Sequence, residues 1–379
     1  MNPVQGGPCQ GIRNSIPALL KLGIENEVVS FDDPMADYLG QDPFTIHALG
    51  KSKTPWGYNK KLIPWLLSHF NEYDVVIVHA LWLYHSHAAV KAILAHRKSN
   101  TTSPKVYIMP HGMLDPYFQK AASRRLKAVR NEIYWKLFEN KVINRSDGIL
   151  FTCKEELLLA RTTFPNYRPK QEINVGYGIQ PPPAFQPAMQ QAFAEKVPSW
   201  NGEPPILFLS RIHPKKGVDM LIKAYIKVEE EQENIPQLII AGPGLEKDFG
   251  KEMLVLASES QNILFPGMLS GDAKWGAFYK SEAFILPSHQ ENFGIAVVEA
   301  LACKTPVLIS DKVNIWREIK AGGGGIVQTD TAEAIYTLFK EWLGLKEEKK
   351  QAYGQYAESV YKKYYTIEQA AKQFLEGIN

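Results

Sequence analysis

Short, unbroken apolar runs alternate along this chain with longer stretches of helical period. In the first half the runs are EVVSF at 27–31, FTIHAL at 44–49, DVVIVHA at 74–80, KVYIMPHG at 105–112, DGILFTC at 147–153 and INVGYGI at 173–179. Apolar positions that do not alternate with polar ones indicate parallel strands covered on both faces. Between them lie helical patterns: QGGPCQGIRNSIPALLKLG with Ile12, Ile16, Leu19, Leu20 and Leu22 on one stripe, KKLIPWLLSHF, a helix over 86–97, and KEELLLARTTF. In the last of these, Glu155 and Glu156 suit the positive end of a helix dipole. The proline-dense segment Gln180 to Pro187 reads as an interdomain linker.

The second half repeats the alternation with PPILFLS at 204–210, QLIIAGPG at 237–244, ILFPGML at 263–269, AFILPS at 283–288 and TPVLIS at 305–310. Gly322 to Gly325 reads as a four-glycine turn before a strand IVQT, and the chain is helical and charged beyond 331. The pattern predicts an α/β protein of two doubly wound domains, 1–180 and 181–362, with 363–379 as a final helix.

Two stretches carry candidate chemistry. SHQENFGIAVVEALACKTP, at 288–306, sets Glu291 in a polar turn and Glu299 inside an apolar helical pattern. A carboxylate buried there needs a hydrogen-bonding partner. Asn292, Phe293 and Gly294 lead into the helix, whose free amides form an anion site. Alone, the pair also fits a buried helix with one salt-bridged glutamate. In SRIHPKKGVDMLIKAY, Arg211 and Lys216 follow the strand ILFLS and precede an amphipathic helix. Two cations at the carboxyl end of a parallel strand suit a diphosphate.

Together, Arg211 and Lys216 in R-x4-K-G, Gly242 and Gly244 in AGPG, and Glu291 and Glu299 in E-x7-E resemble the family 4 retaining glycosyltransferases of GT-B architecture, in which two Rossmann-like domains face a central cleft. The resemblance implies transfer of a hexose from a nucleotide diphosphate sugar, UDP-linked in most such enzymes, with retained configuration. It assigns Arg211 and Lys216 to the diphosphate with the amides near Phe293 and Gly294, Glu291 to the sugar hydroxyls, Glu299 to the ribose and the backbone near Met268 to the base. His111, in an HG pair after a strand, would contact the transferred sugar. Gly6 and Gly7 would bring backbone close to the reaction centre. A strand usually precedes that glycine pair, yet only five residues stand before Gly6, so a misassigned or shortened start is expected. The last helix would cross back to the first domain.

Composition narrows the alternatives. A formal net charge of +3 excludes recognition of nucleic acid through a broad basic face. No apolar run reaches a membrane span and no secretory signal is visible. Cys9, Cys153 and Cys303 form no CxxC pair, which fits a reduced, cytoplasmic setting. Arg124, Arg125, Lys127 and Arg130 form a basic run that fits either a solvated helix face or an anionic acceptor or lipid headgroups at the inner membrane face. No Asp-x-Asp pair is present, and His85-x-His87 lacks further obvious ligands, so neither a metal nor a bound cofactor is expected beyond the donor itself. The expected acceptor is a saccharide or lipid-linked saccharide in polysaccharide or glycoconjugate synthesis. A sugar-nucleotide epimerase, a phosphorylase and a catalytically idle nucleotide-sugar binder are the competing readings, because related folds host them. No pyridoxal phosphate motif supports the phosphorylase.

Overall fold

The structure is a computed structural model that describes residues 1–3, 7–121 and 124–378; Gly6 lies outside the described residues. The strands are β1 Val28–Ser30, β2 Ile46–Ala48, β3 Val75–His79, β4 Lys105–Met109, β5 Gly148–Phe151, β6 Glu172–Asn174, β7 Ile206–Leu209, β8 Leu238–Ala241, β9 Ile263–Gly267, β10 Ala283–Leu286, β11 Val307–Ser310 and β12 Gly325–Gln328. The helices are α1 Pro8–Lys21, α2 Leu62–His69, α3 Tyr84–Ser99, α4 Tyr117–Lys120, α5 Arg125–Tyr134, α6 Asn140–Arg145, α7 Lys154–Ala160, α8 Pro187–Lys196, α9 Val218–Glu231, α10 Asp248–Ala257, α11 Gly271–Lys280, α12 Ile295–Ala302, α13 Trp316–Gly322, α14 Ala332–Leu343, α15 Glu347–Tyr364 and α16 Ile367–Ile378. The chain forms two compact units, Met1–Gly178 with Ile367–Asn379, and Ile179–Thr366.

In the first unit, β3-β4-β5-β6 make a parallel sheet, and β1 and β2 pair separately, also in parallel. Strand β4 shows why the unbroken apolar runs form such a sheet. Val106 and Ile108 enter one core with Leu66, Ile93, Trp135 and Ile143, whereas Tyr107 and Met109 enter another with Val175 and Ile378. Helix α16 therefore packs within the first unit, against Ile173 and Val175 through Gly377 and against α1 through Ile367 and Ala371.

The second unit is a six-stranded parallel sheet of order β12-β11-β10-β7-β8-β9. Strands β8, β10 and β11 are buried at every position. The sequence differs from the structure in details. Only Gly323 and Gly324 separate α13 from β12, with Gly323 at φ 72° stopping the helix, so the four-glycine turn shrinks to a helix cap. Of the proline-dense segment, Pro187 opens α8, and the rest is tied to α11 by the Tyr279 hydroxyl donating to the Pro183 carbonyl at 2.7 Å. That segment packs as part of the second unit.

Candidate functional site

Consecutive strands of the second sheet run outward from β7 in one direction, β7-β8-β9, and from β10 in the other, β10-β11-β12. Between β7 and β10 the strand order reverses, and loops leaving the carboxyl ends of such a pair diverge to make a crevice. Those two loops carry Arg211, Lys216 and Glu291 to Gly294.

The loops are stitched together residue by residue. The His289 amide donates to the Lys215 carbonyl at 2.9 Å, and the Lys215 ammonium donates to Gln290 Oε1 at 2.8 Å. Next in both loops, the Lys216 ammonium is paired with the Glu291 carboxylate. Lys216 is buried, its side chain only 6% exposed, while that of Glu291 is 21% exposed. The Glu291 backbone is clamped from the other side, its amide to the Lys312 carbonyl and its carbonyl from the Asn314 amide, each at 2.9 Å. Arg211 is exposed and, among the described residues, holds no ion pair.

Gly294 adopts φ 78° at the start of α12, a left-handed conformation that favours glycine. The first intrahelical bonds are those of the Val297 and Val298 amides to the Gly294 carbonyl, so the Ile295 and Ala296 amides remain as donors at the helix end. Phe293 contributes backbone only: its side chain is buried edge-on against Tyr365, with ring centroids 5.7 Å apart. Asn292 Oδ1 accepts from Asn314 Nδ2 at 3.4 Å. Glu299 is half-buried rather than enclosed, and its partner is the Lys274 ammonium of α11 at 2.8 Å. Gly242 lies between the ends of β7 and β9. Its φ is 144°, its amide donates to the Gly267 carbonyl at 2.8 Å, and a Cβ there would sit 1.8 Å from the Ser210 carbonyl oxygen. Met268 follows at 69% exposure.

The first unit holds a separate cluster. His111 follows β4 with φ 51°, a conformation that costs a non-glycine residue roughly 1 kcal/mol and tends to mark function. The buried Glu156 at the start of α7 fixes this turn, accepting from the Gly112 amide at 2.5 Å and from the Thr152 amide and hydroxyl at 2.8 and 2.7 Å. His111 Nε2 and His79 Nδ1 share a hydrogen bond of 2.9 Å across nearly parallel rings, and His85 Nε2 donates to the His79 carbonyl at 2.8 Å. Burial pushes His79 down to about 3 and His111 to about 4, so both rings are neutral at neutral pH. Gly7, at φ 56°, stands exposed at the start of α1.

Sequence reasoning did not find His79, Glu156 or Lys274. Each acts through a partner remote in sequence, and the two adjacent acids at 155–156 suggested only a dipole effect.

Two units, each built on parallel strands with helices, define the GT-B class of fold. The chain superposes on Anabaena HepE, solved with UDP and glucose, at a TM-score of 0.71 over 98% of this chain and 95% of that one, with 15% identity. Residues 189–360 match the family described as glycosyl transferases group 1. An uncharacterized glycosyltransferase of Methanocaldococcus jannaschii is 30% identical over 134 residues, 35% of this chain and 34% of that protein. The alpha-monoglucosyldiacylglycerol synthase of Streptococcus pneumoniae is 28% identical over 183 residues, 44% of this chain and 40% of that protein. The chain spans between 34% and 46% of the length of the curated relatives it matches.

Proposed function

We propose that this protein is a retaining glycosyltransferase that moves a hexose from a UDP-linked donor to a saccharide or lipid-linked acceptor, without a metal ion or other cofactor. One observation carries the reading: at the strand-order reversal of the second sheet, a stitched pair of loops gathers Lys216, Glu291 and the free amides of α12, with Arg211 exposed on the loop that carries Lys216. As the glycosidic bond breaks, charge develops on the departing diphosphate. Donors already fixed in place stabilise that charge more than the ground state. Arg211 and Lys216 are the cations for the diphosphate, the α12 amides near Phe293 and Gly294 add the dipole, and Glu291 orients the sugar hydroxyls. When a donor binds, Lys216 can share its protons between Glu291 and a phosphate oxygen. Glu299, held by Lys274, takes the ribose; Gly242 and the backbone near Met268 take the diphosphate and the base. His111 is assigned to the transferred hexose as a neutral hydrogen-bonding group, and Gly6 and Gly7 to backbone contact in the same reaction.

A lipid-linked acceptor fits the surface of α5. Leu126, Val129 and Ile133 of α5, and Leu137 in the π-helical turn Trp135–Glu139 that follows it, are exposed, Leu126 to 89%, with exposed Arg125, Lys127, Arg130 and Lys136 beside them. An apolar stripe flanked by cations suits an anionic bilayer surface. Arg124 stands apart from that face, packed 4.9 Å from the Phe118 ring. Among the described residues no helix is long and apolar enough to cross a membrane, so the contact proposed is peripheral.

The test is transfer from a panel of UDP-hexoses to soluble and lipid-linked acceptors, with and without EDTA. Transfer with an unchanged anomeric configuration and no response to chelation is expected. Strict dependence on added Mg²⁺ or Mn²⁺, or interconversion of the free donor without acceptor, would overturn the assignment.

A further inference from the structure

The turn that joins β3 to α3, residues 80–83, rests on a buried carboxylic acid. Ala80 and Trp82 sit at φ 72° and 71°, left-handed conformations that neither side chain favours. Two such residues in one short connection persist only where the surroundings fix them. Backbone bonds fix the ends: the Ala80 amide donates to the Met109 carbonyl at 2.9 Å, and the Tyr84 amide to the Trp56 carbonyl at 2.8 Å. The middle is held by Glu139, the last residue of the π-helical turn Trp135–Glu139, a distortion of a kind that recurs at functional sites. Its carboxyl takes a hydrogen bond from the Trp82 backbone, and its Oε1 lies 2.9 Å from Ser86 Oγ. Glu139 and Ser86 are both fully buried, and Glu139 Oε2 has no hydrogen-bond partner among the described residues.

Ser86 Oγ also lies 2.9 Å from the Leu83 carbonyl. A hydroxyl has one proton to give, so Ser86 cannot fully serve both Leu83 and a carboxylate. Both contacts are satisfied when Glu139 is protonated and donates to Ser86 Oγ, which leaves the Ser86 proton to the Leu83 carbonyl. We propose that Glu139 is a positioning residue: protonated, it donates to Ser86 and locks the turn 80–83; ionised, it draws the Ser86 hydroxyl away from Leu83 and frees the turn. Burial pushes this carboxyl up to about 7, so both forms are populated near neutral pH. The π turn packs against α3, α5 and α6. Burial pushes Tyr134 of α5 up to about 12, with the Glu139 charge adding to the rise, and it raises Tyr84 of α3. Burial lowers His85 and His87 of α3, and Lys91 of α3 and Lys141 of α6 lower His87 further. Among the described residues no cation pairs with Glu139, so its own proton is the one that changes. His85 donates to the His79 carbonyl, and His79 shares a hydrogen bond with His111. Freeing the turn therefore loosens the support of His111. That consequence for transfer rests on the assignment of His111 to the hexose, whereas the lock itself holds whatever is transferred.

The experiment follows amide hydrogen exchange, corrected for the intrinsic effect of pH, in peptides covering 80–87 and Lys105–Met109. An acid that moves from about 7 to its ordinary value of about 4.3 on opening makes the opening constant about tenfold larger at about pH 8 than at about pH 6. Wild-type protection over 80–87 is expected to fall by that factor and to stay below that of β4 throughout. Glu139→Gln keeps a donor for Ser86 and cannot ionise, so its protection should not change with pH. Ser86→Ala should lose protection already at the lower pH. The infrared difference between wild type and Glu139→Gln should show a protonated carboxyl at the lower pH that fades at the higher one. Protection over 80–87 equal to that of β4 at both pH values means that the turn opens only with the whole fold, and overturns the lock. So does an equal fall in Glu139→Gln, wild-type protection in Ser86→Ala, or no protonated carboxyl. None of these readings involves donor or acceptor, so their failure leaves the proposed transfer standing.

Discussion

Lys216 and Glu291 can be separated experimentally, because their interaction has a stability part and a binding part. The Lys216 ammonium is nearly buried at 6% and its partner carboxylate is 21% exposed, so the pair lies between two measured regimes. Exposed pairs contribute about 0.2 to 1 kcal/mol. Breaking a fully buried pair costs about 3 to 5 kcal/mol, mostly because one charge is left without its partner. A coupling of about 2 kcal/mol is therefore expected between Lys216→Met and Glu291→Gln in urea unfolding, with the double variant losing less than the sum of the singles. Binding should respond differently. Lys216→Met removes a charged hydrogen bond to the diphosphate worth about 1.5 to 3 kcal/mol, weakening UDP some 10- to 150-fold by calorimetry. Glu291→Gln keeps the cation and frees it from its carboxylate, so UDP should bind as well or better while hexose transfer falls. Additive unfolding energies would show that the pair is not coupled. UDP affinity unchanged in Lys216→Met would remove the clamp from the account.

Three further outcomes follow from the geometry. Burial raises the Glu139 carboxyl to about 7, against the opposing hydrogen bonds from the Ser86 hydroxyl at 2.9 Å and the Trp82 backbone. An acid whose folded value lies above its unfolded one stabilises the fold at low pH and loses that contribution as pH rises through about 7. Glu139→Gln should therefore abolish a fall of roughly 3 kcal/mol in unfolding energy between about pH 4.5 and 7, read from urea curves across that range. His79 and His111 are depressed instead, so their contribution is complete above their ordinary value near 6.5 and is lost as pH falls toward about 4 and 3; His79→Gln should flatten that acid limb, and an unchanged limb would contradict the buried neutral pair. His111→Gly relieves the left-handed strain, so it should leave thermal stability equal or higher while lowering kcat at least tenfold.

The sheets were legible because a strand covered on both faces must be apolar without interruption, and each such run from DVVIVHA to TPVLIS forms one. The loops at the strand-order reversal were legible for a related reason: cations and a glycine turn directly after apolar strands have few structural uses. What bonds to what was not legible. Spacing alone made Glu291 and Lys216 two independent ligands, whereas the fold pairs them across 75 positions. The apolar pattern around Glu299 suggested an enclosed carboxylate, but helix α12 turns that position toward α11 and Lys274. The turn at His111 depends on Glu156, which is 44 residues distant from Gly112. Such pairings arise from topology, and a local pattern carries no record of them.

The most direct measurement of the central claim is a crystal structure of the protein soaked with a UDP-hexose. The account predicts the diphosphate within hydrogen-bond distance of Arg211, Lys216 and the Ile295 and Ala296 amides, with the Glu291 carboxylate on the sugar. A diphosphate bound elsewhere, with the Lys216–Glu291 pair undisturbed and no phosphate oxygen near α12, would contradict it.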